Sequence, residues 1–325
     1  MKEFHEKYIN PFTDFGFKKI FGQEYNKDLL LDFLNTILLR ANDPIKDIKY
    51  KPTEQYTFTI EDRKSVFDIF CESESGERFI VEMQKNKQTH FLDRTLYYST
   101  LPIIDQAQKG AEWDYKLSAV YVVAVMDFNL NMDGVHEGCL HHVKLVELES
   151  NKVFHDKLTF VYLEMPKFTK KLEELDDNID KWLYVLKNIS KLQELPEKLQ
   201  NRIFEKLFKV AEISKYTHDE WIAYQLSLKD YRDNKAAIQT AIEEGKKEER
   251  KIQEAKIQQI EERHSKQLQE NEKKFKEELQ GKESLIQEKD SMIQEKDSML
   301  RELANMLLEQ GFTKEQIFAK TGVKL

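Results

Sequence analysis

From about Ala236 to Leu300 the chain is dominated by Glu, Lys and Gln, with apolar residues too sparse to build a core. The stretch reads as one long exposed helix, so the packed fold must lie upstream of it. It also carries most of the excess that brings charged residues to 34% of the 325-residue chain, against about 25% in ordinary globular proteins. Its apolar positions have a pattern. Ile257, Leu268 and Leu279 are eleven residues apart, as are His264, Phe275 and Ile286, a period suited to a straight or right-handed helical bundle. "IQEKDSM" then occurs twice in tandem, at 286–292 and 293–299, which aligns Ile286, Ile293 and Leu300 in one stripe with Met292, Met299 and Met306 beside it. Lys289 and Lys296 fall where a second seam position is expected and would weaken a coiled coil. Two readings stay open: self-association through the stripes, and a solvated helical spacer.

At this length the chain can bury a good core and has room for two domains. "NKDLLLDFLNTILL" has helical spacing and predicts a helix over about 26–40, with Asn26 as its N-cap. "EQYTFTI" reads as a strand. "FLDRTLYYSTLPIIDQAQKG" reads as a helix kinked or restarted at Pro102 and stopped by Gly110. "KLSAVYVVAVMDF" is a continuous apolar run expected of a fully buried strand, and "LTFVYLEMP" is one more. With the hairpin described next, the order is helix, three strands, helix, strand, strand, an α/β sandwich with a mixed sheet. After Pro166, "KWLYVLKNIS", "LQNRIFEKLFKVAEI" and "HDEWIAYQLSLKDYRDN" are aromatic-rich amphipathic helices expected to pack on that core. The closing "GFTKEQIFAKTGVKL" has Thr313 as an N-cap with Gln316 at capping-box spacing. It resembles the second half of a helix-turn-helix, but without a basic recognition helix it is suited to binding protein.

The chemistry is concentrated in "SVFDIFCESESGERFIVEMQ", Ser65 to Gln84. Both ends have the branched and aromatic content of strands, and "ESESGE" supplies a Gly-containing turn. Side chains alternate along a strand, so Val66, Asp68 and Phe70 share one face, and Ile80, Glu82 and Gln84 share one face of the next strand. In register, Asp68 and Glu82 converge. Two close carboxylates in a partly apolar setting resist ionisation unless a cation or proton occupies the space between them. Magnesium suits such a site, being often held by one or two carboxylates together with waters and substrate phosphates. Phosphodiester hydrolysis uses a metal in this way, and Gln84 is placed to orient the attacking water. The alternative puts both acids on the solvent face of a one-sided hairpin. Against it, both strands are apolar on both faces.

Whole-chain properties set further bounds. No run approaches about 18 consecutive apolar residues, and "MKEFHEKYIN" has no signal-peptide h-region, so a soluble, cytoplasmic protein without a membrane partner is expected. Cys71 and Cys139 are the two cysteines and offer no disulfide framework. A net charge of −8 argues against a large basic DNA-binding surface. Affinity for DNA would have to come from local clusters such as Lys18-Lys19 and Lys85/Lys87, helped by metal. "VHEGCLHHV" holds His136, Cys139, His141 and His142, but no second ligand pair stands nearby, and a polar loop and strand edge is the default reading over zinc.

"TDFGFKKIFG", the Asp68 then Glu82-x-Gln84 pattern, "DRTLYYSTLP", "VYVVAVMDF" and "YLEMPKF" resemble, in that order, the PD-(D/E)XK nuclease family transposases, also called the Rpn or recombination-promoting nuclease family. The ending "ELANMLLEQGFTKEQIFAKTGVKL" is similar to theirs as well. The resemblance implies a restriction-endonuclease-like α/β core, a mixed central sheet flanked by helices, followed by an all-α region and a long C-terminal helix. It implies a magnesium- or manganese-dependent DNA endonuclease acting in recombination, mobile elements or phage defence. Asp68 and Glu82 would be the metal ligands, and Gln84 stands where the superfamily more often has Lys, which puts the rate in question because Gln brings no charge. Asp14 and Lys18, before the first helix, are candidates for substrate or metal contact, with a capped turn and a solvated Lys as the competing reading. Lys19, Lys85 and Lys87 are further candidates for DNA contact. Arg94, Tyr97 and Tyr98 share one helix, Tyr98 at i+4 from Arg94, and the tyrosines are expected to pack on the sheet. The alternative function is a non-catalytic DNA-binding or assembly module on a decayed nuclease fold. The layout expected is a nuclease-like domain at 1–166, a helical extension at 167–235, the charged helix at 236–304 and a small helical motif at 305–325.

Overall fold

The structure, a computed structural model, describes residues 6–55, 65–107, 114–130 and 137–324. Two compact units divide at Thr240.

In the first unit, Thr13 opens α1 (Asp14–Phe21), its hydroxyl accepting from the Gly16 amide at 3.0 Å. Sequence spacing missed this helix. Eight residues bounded by Gly22 are too short for a clear period, and the segment read as a turn. Gly16 is required by close packing, because a Cβ there would lie 2.7 Å from Thr13 Oγ1 and still closer to Asn10 O. The expected helix over 26–40 is α2 (Lys27–Ile37), and Asn26 holds its N-cap position as expected but makes no side-chain capping hydrogen bond. Asn26 is buried, and its side-chain amide donates instead to Lys19 O at the end of α1.

The strands are β1 (Ile48–Tyr50), β2 (Glu54–Gln55), β3 (Ser65–Val66), β4 (Ile69–Ser73) and β5 (Arg78–Gln84), then β6 (Val120–Met126), β7 (Leu140–Glu147) and β8 (Lys152–Glu164). Between β5 and β6 runs α3 (Phe91–Ile104), which contains Pro102. The expected stop at Gly110 and most of the "EQYTFTI" strand lie outside the described residues. The six-stranded sheet has the order β1-β4-β5-β6-β8-β7, and β2 pairs with β3 separately. β5, β6 and β8 are parallel and form its centre, while β1, β4 and β7 are antiparallel to their neighbours. The sheet is therefore mixed, as expected. β7 had read as a polar loop and strand edge because His141, His142 and Lys144 break its apolar pattern, and it is the edge strand.

Period-2 alternation gives the sheet two apolar faces. Ile69, Cys71, Phe79, Val81, Val123 and Leu163 join the larger core with α1, α2, α4 (Asn178–Asn188), α5 (Arg202–Ala211) and Tyr224 and Leu228 of α6 (His218–Glu309). Phe70, Ile80, Val122, Ala124 and Tyr162 face the other way, under Phe91, Tyr98 and Leu101 of α3. α1 is tied to the base of α6: Ser227 Oγ accepts from the Phe15 amide at 3.1 Å, and Lys19 pairs with Glu220.

The second unit holds the rest of α6 and α7 (Lys314–Thr321). Ile257, Leu268, Leu279, Ile286 and Ile293 are exposed along α6, and Ala304 and Ile317 are its buried residues among those described. Thr313 and Gln316 form the expected capping box, and Gly322 ends α7 at φ +72°, a conformation that suits glycine.

Candidate active site

β4 and β5 pair antiparallel with Ile69 opposite Val81, so Asp68 stands across from Glu82 one step further on. The first strand of the expected hairpin is broken at this step: β3 ends at Val66 and β4 starts at Ile69. The break frees the Asp68 amide from the ladder, and it donates to Glu82 Oε1 at 3.2 Å. In return the Met83 amide donates to Asp68 Oδ2 at 2.8 Å. One oxygen of each carboxylate is thus held by backbone, and Asp68 Oδ1 and Glu82 Oε2 remain for a ligand.

Glu82 is only 4% exposed. Burial, and next the charge of Asp68, push its carboxyl well above the ordinary glutamate value, against the Asp68 amide, Arg94 and Lys18. Burial likewise raises Asp68, with Asp14 adding to the effect and the Met83 amide, Lys18 and Lys85 opposing it. The pair therefore favours a bound proton or cation. The donor set fits a hard divalent ion: two carboxylates with one oxygen each outside the clamp, near the C-terminal end of β5. Among the described residues no cluster of three or more His, Cys, Asp or Glu side chains is arranged to hold a metal, so the remaining ligands of such an ion would be waters or substrate oxygens.

Gln84 ends β5, and its side-chain amide donates to Asn86 O at 3.3 Å, which leaves its amide oxygen able to accept from a water. Asp14 and Lys18 pair with each other at 2.9 Å on α1, close enough for both to act on the Asp68 carboxyl. The other lysines have protein partners. Lys19 is bound to Glu220 and Tyr25, Lys85 lies 3.6 Å from Asp230, and Lys87 donates to Leu130 O at 3.2 Å.

Arg94 was expected only to share a helix with packing tyrosines. Its Nη2 lies 3.9 Å from Glu82 Oε2, its guanidinium sits over the Tyr98 ring at 4.8 Å, and Nη1 donates to Gln88 Oε1 at 3.0 Å. Helical i+4 spacing gave the contact with Tyr98, but the approach to Glu82 depends on how α3 crosses the sheet.

Among the described residues the His/Cys group has no metal geometry. His142 bonds to Ile37 O at 2.7 Å, and His141 reaches Glu164 at 2.9 Å, while His136 lies outside the described residues. Glu164 is fully buried and also takes Lys167 and the Leu130 amide, each at 2.9 Å. Burial alone would raise its carboxyl, but these partners together hold it below the ordinary value.

The family model of the PD-(D/E)XK nuclease family transposases matches residues 11–241, a span that includes α1, every strand of the sheet and α3. No curated protein and no solved structure matches the chain. The mixed sheet, the carboxylates paired across β4 and β5, and this match over most of the sequence lead to one assignment: the chain belongs to the PD-(D/E)XK nuclease family transposases.

Proposed function

We propose that the protein is a divalent-metal-dependent DNA endonuclease that hydrolyses phosphodiester bonds at the Asp68–Glu82 pair. The observation that carries this reading is the reciprocal backbone clamp, which fixes a buried and a half-buried carboxylate side by side with one oxygen of each left outside the clamp. Asp68 and Glu82 would hold the ion, magnesium or manganese, and Gln84 would orient the water through its amide oxygen. When bound, the ion activates water and stabilises the charge developing on the phosphate. Asp14 and Lys18 border the site and are proposed to meet the DNA backbone, with Lys19, Lys85 and Lys87 contributing at its margin.

The setting proposed for this activity is recombination, mobile-element movement or phage defence in the cytoplasm. Among the described residues no helix is long and apolar enough to cross a membrane. The exposed apolar positions of α6 support homo-oligomerisation through the C-terminal helix, since a helix of this kind gains most of its stability by burying a face. The chain is proposed to have four parts, with boundaries after residues 166, 235 and 304.

A second reading, a DNA-binding or assembly module with little or no catalysis, is favoured by Gln84, which brings no charge to the site and whose amide group turns to Asn86. Incubation of supercoiled plasmid with purified protein separates the two. Nicked or linear product with magnesium or manganese, absent with excess chelator, supports the endonuclease. Binding without cleavage under any of these conditions supports the module.

A further inference from the structure

We propose that Arg94 is the substrate-binding cation of this site, its guanidinium supplying to the scissile phosphate the positive charge that Gln84 lacks. This inference rests on the endonuclease reading and assigns it a residue on a different element, α3.

Three observations carry it. The first is direction. Arg94 Nη2 faces Glu82 Oε2, the carboxylate oxygen that the Asp68 amide leaves free, at 3.9 Å. That is too long for a hydrogen bond, so Glu82 does not saturate the donor. The second is rigidity. The guanidinium is seated on the Tyr98 ring and tied through Nη1 to Gln88 Oε1, so its orientation is set before substrate arrives. Its side chain nevertheless stays 33% exposed, open to a ligand approaching from solvent. The third is the competition. Lys18 is paired with Asp14, Lys19 with Glu220, Lys85 with Asp230, and Lys87 with a backbone carbonyl. Among the described residues, Arg94 is the cation that forms an ion pair with Glu82.

The residue type fits the role. A guanidinium offers a planar fork of donors that matches two phosphate oxygens, and it remains charged at every working pH. Hydrolysis adds water across one P–O ester bond: the attacking water gives a proton to solvent as its oxygen bonds to phosphorus, the ester P–O bond breaks, and the leaving oxygen takes a proton from solvent. Arg94 neither accepts nor gives that proton. It stabilises charge on the non-bridging oxygens, where a fixed donor is most effective.

The test compares full-length wild type, Arg94→Ala, Arg94→Gln, Gln84→Lys, Lys18→Ala and the double variant Arg94→Ala/Gln84→Lys. Single-turnover cleavage of duplex DNA is measured with manganese, and duplex binding with calcium over a salt series. Removing one fixed donor should slow cleavage about 100-fold in Arg94→Ala. Its salt slope for binding should drop by about one phosphate contact. Gln84→Lys alone should retain or raise activity. Measured against the Gln84→Lys single variant as its own baseline, the added Arg94→Ala change should cost at least about tenfold less than it costs wild type, as expected where one cation replaces another. Arg94→Gln, which keeps much of the bulk over Tyr98, should melt like wild type yet cleave as slowly as Arg94→Ala.

Wild-type cleavage by Arg94→Gln overturns the proposal. So does a loss in Arg94→Ala that Gln84→Lys leaves unrepaired, or a loss of this size in Lys18→Ala with none in Arg94→Ala. If wild type itself fails to cut, the endonuclease reading falls, and the binding arm still decides the role of Arg94: an unchanged affinity and salt slope in Arg94→Gln would refute it.

Discussion

Asp68 and Glu82 each hold the other in place through backbone: the Asp68 amide donates to Glu82 Oε1, and the amide following Glu82 donates to Asp68 Oδ2. The clamp orients two carboxylates that burial and mutual repulsion would otherwise keep apart, and it makes their protonation part of the stability of the fold.

The pH dependence follows with a definite sign. Both folded-state carboxyls sit above their ordinary values. The folded state therefore binds protons more tightly than the unfolded chain. Their stabilising contribution is complete below the ordinary carboxylate range, about pH 4, and is lost as pH rises through the raised values. Other carboxyls, Glu77 and Glu164 among them, sit below their ordinary values and oppose this in acid, so the readout is a difference: in chelator, the melting temperature of wild type should fall relative to Glu82→Gln as pH climbs from about 4 through neutrality. Identical slopes for the two proteins would contradict the assignment. Manganese at about 100 times its Kd should restore about 2.7 kcal/mol to wild type at neutral pH, and far less to the variant.

Gly16 tests the placement of α1. Its Cβ position is occupied by Asn10 O and Thr13 Oγ1, so Gly16→Ala must displace the turn that starts the helix carrying Asp14 and Lys18. Overpacking of this kind costs about 1–3 kcal/mol. Urea unfolding is the measurement, and a midpoint equal to that of wild type would show that the turn can relax freely.

The site was legible in the sequence where it depended on strand alternation. Branched residues on both sides of Asp68 and Glu82 announced a sheet covered on both faces, and the turn at Ser73–Glu77 set a register that brings the acids together. The parallel run Val120–Met126 was legible for the same reason, being apolar on both faces. Short or irregular elements were not. α1 is eight residues with a glycine inside, and β7 is an edge strand with polar positions that no second sheet layer forces to be apolar. Arg94 was visible as a residue but not as a neighbour of Glu82, because helix spacing fixes which side chains share a face and says nothing about which strand that face crosses.

The tail separates assembly from chemistry. Ile257, Leu268, Leu279, Ile286, Ile293 and Leu300 are all exposed, an arrangement that self-association would relieve. Light scattering at micromolar concentration should give an oligomer for the full chain and a lower state for a chain ending at Thr240, which should also favour nicking over double-strand cleavage. A monomeric full-length protein would leave the long helix as a solvated spacer.

The most direct measurement is cleavage of supercoiled plasmid by Asp68→Ala and Glu82→Ala beside wild type, each with manganese and with excess chelator, after circular dichroism has shown all three folded. Wild type is expected to produce nicked or linear DNA with metal only, and both variants to match the chelator control. Full cleavage by either folded variant would contradict the account of this site.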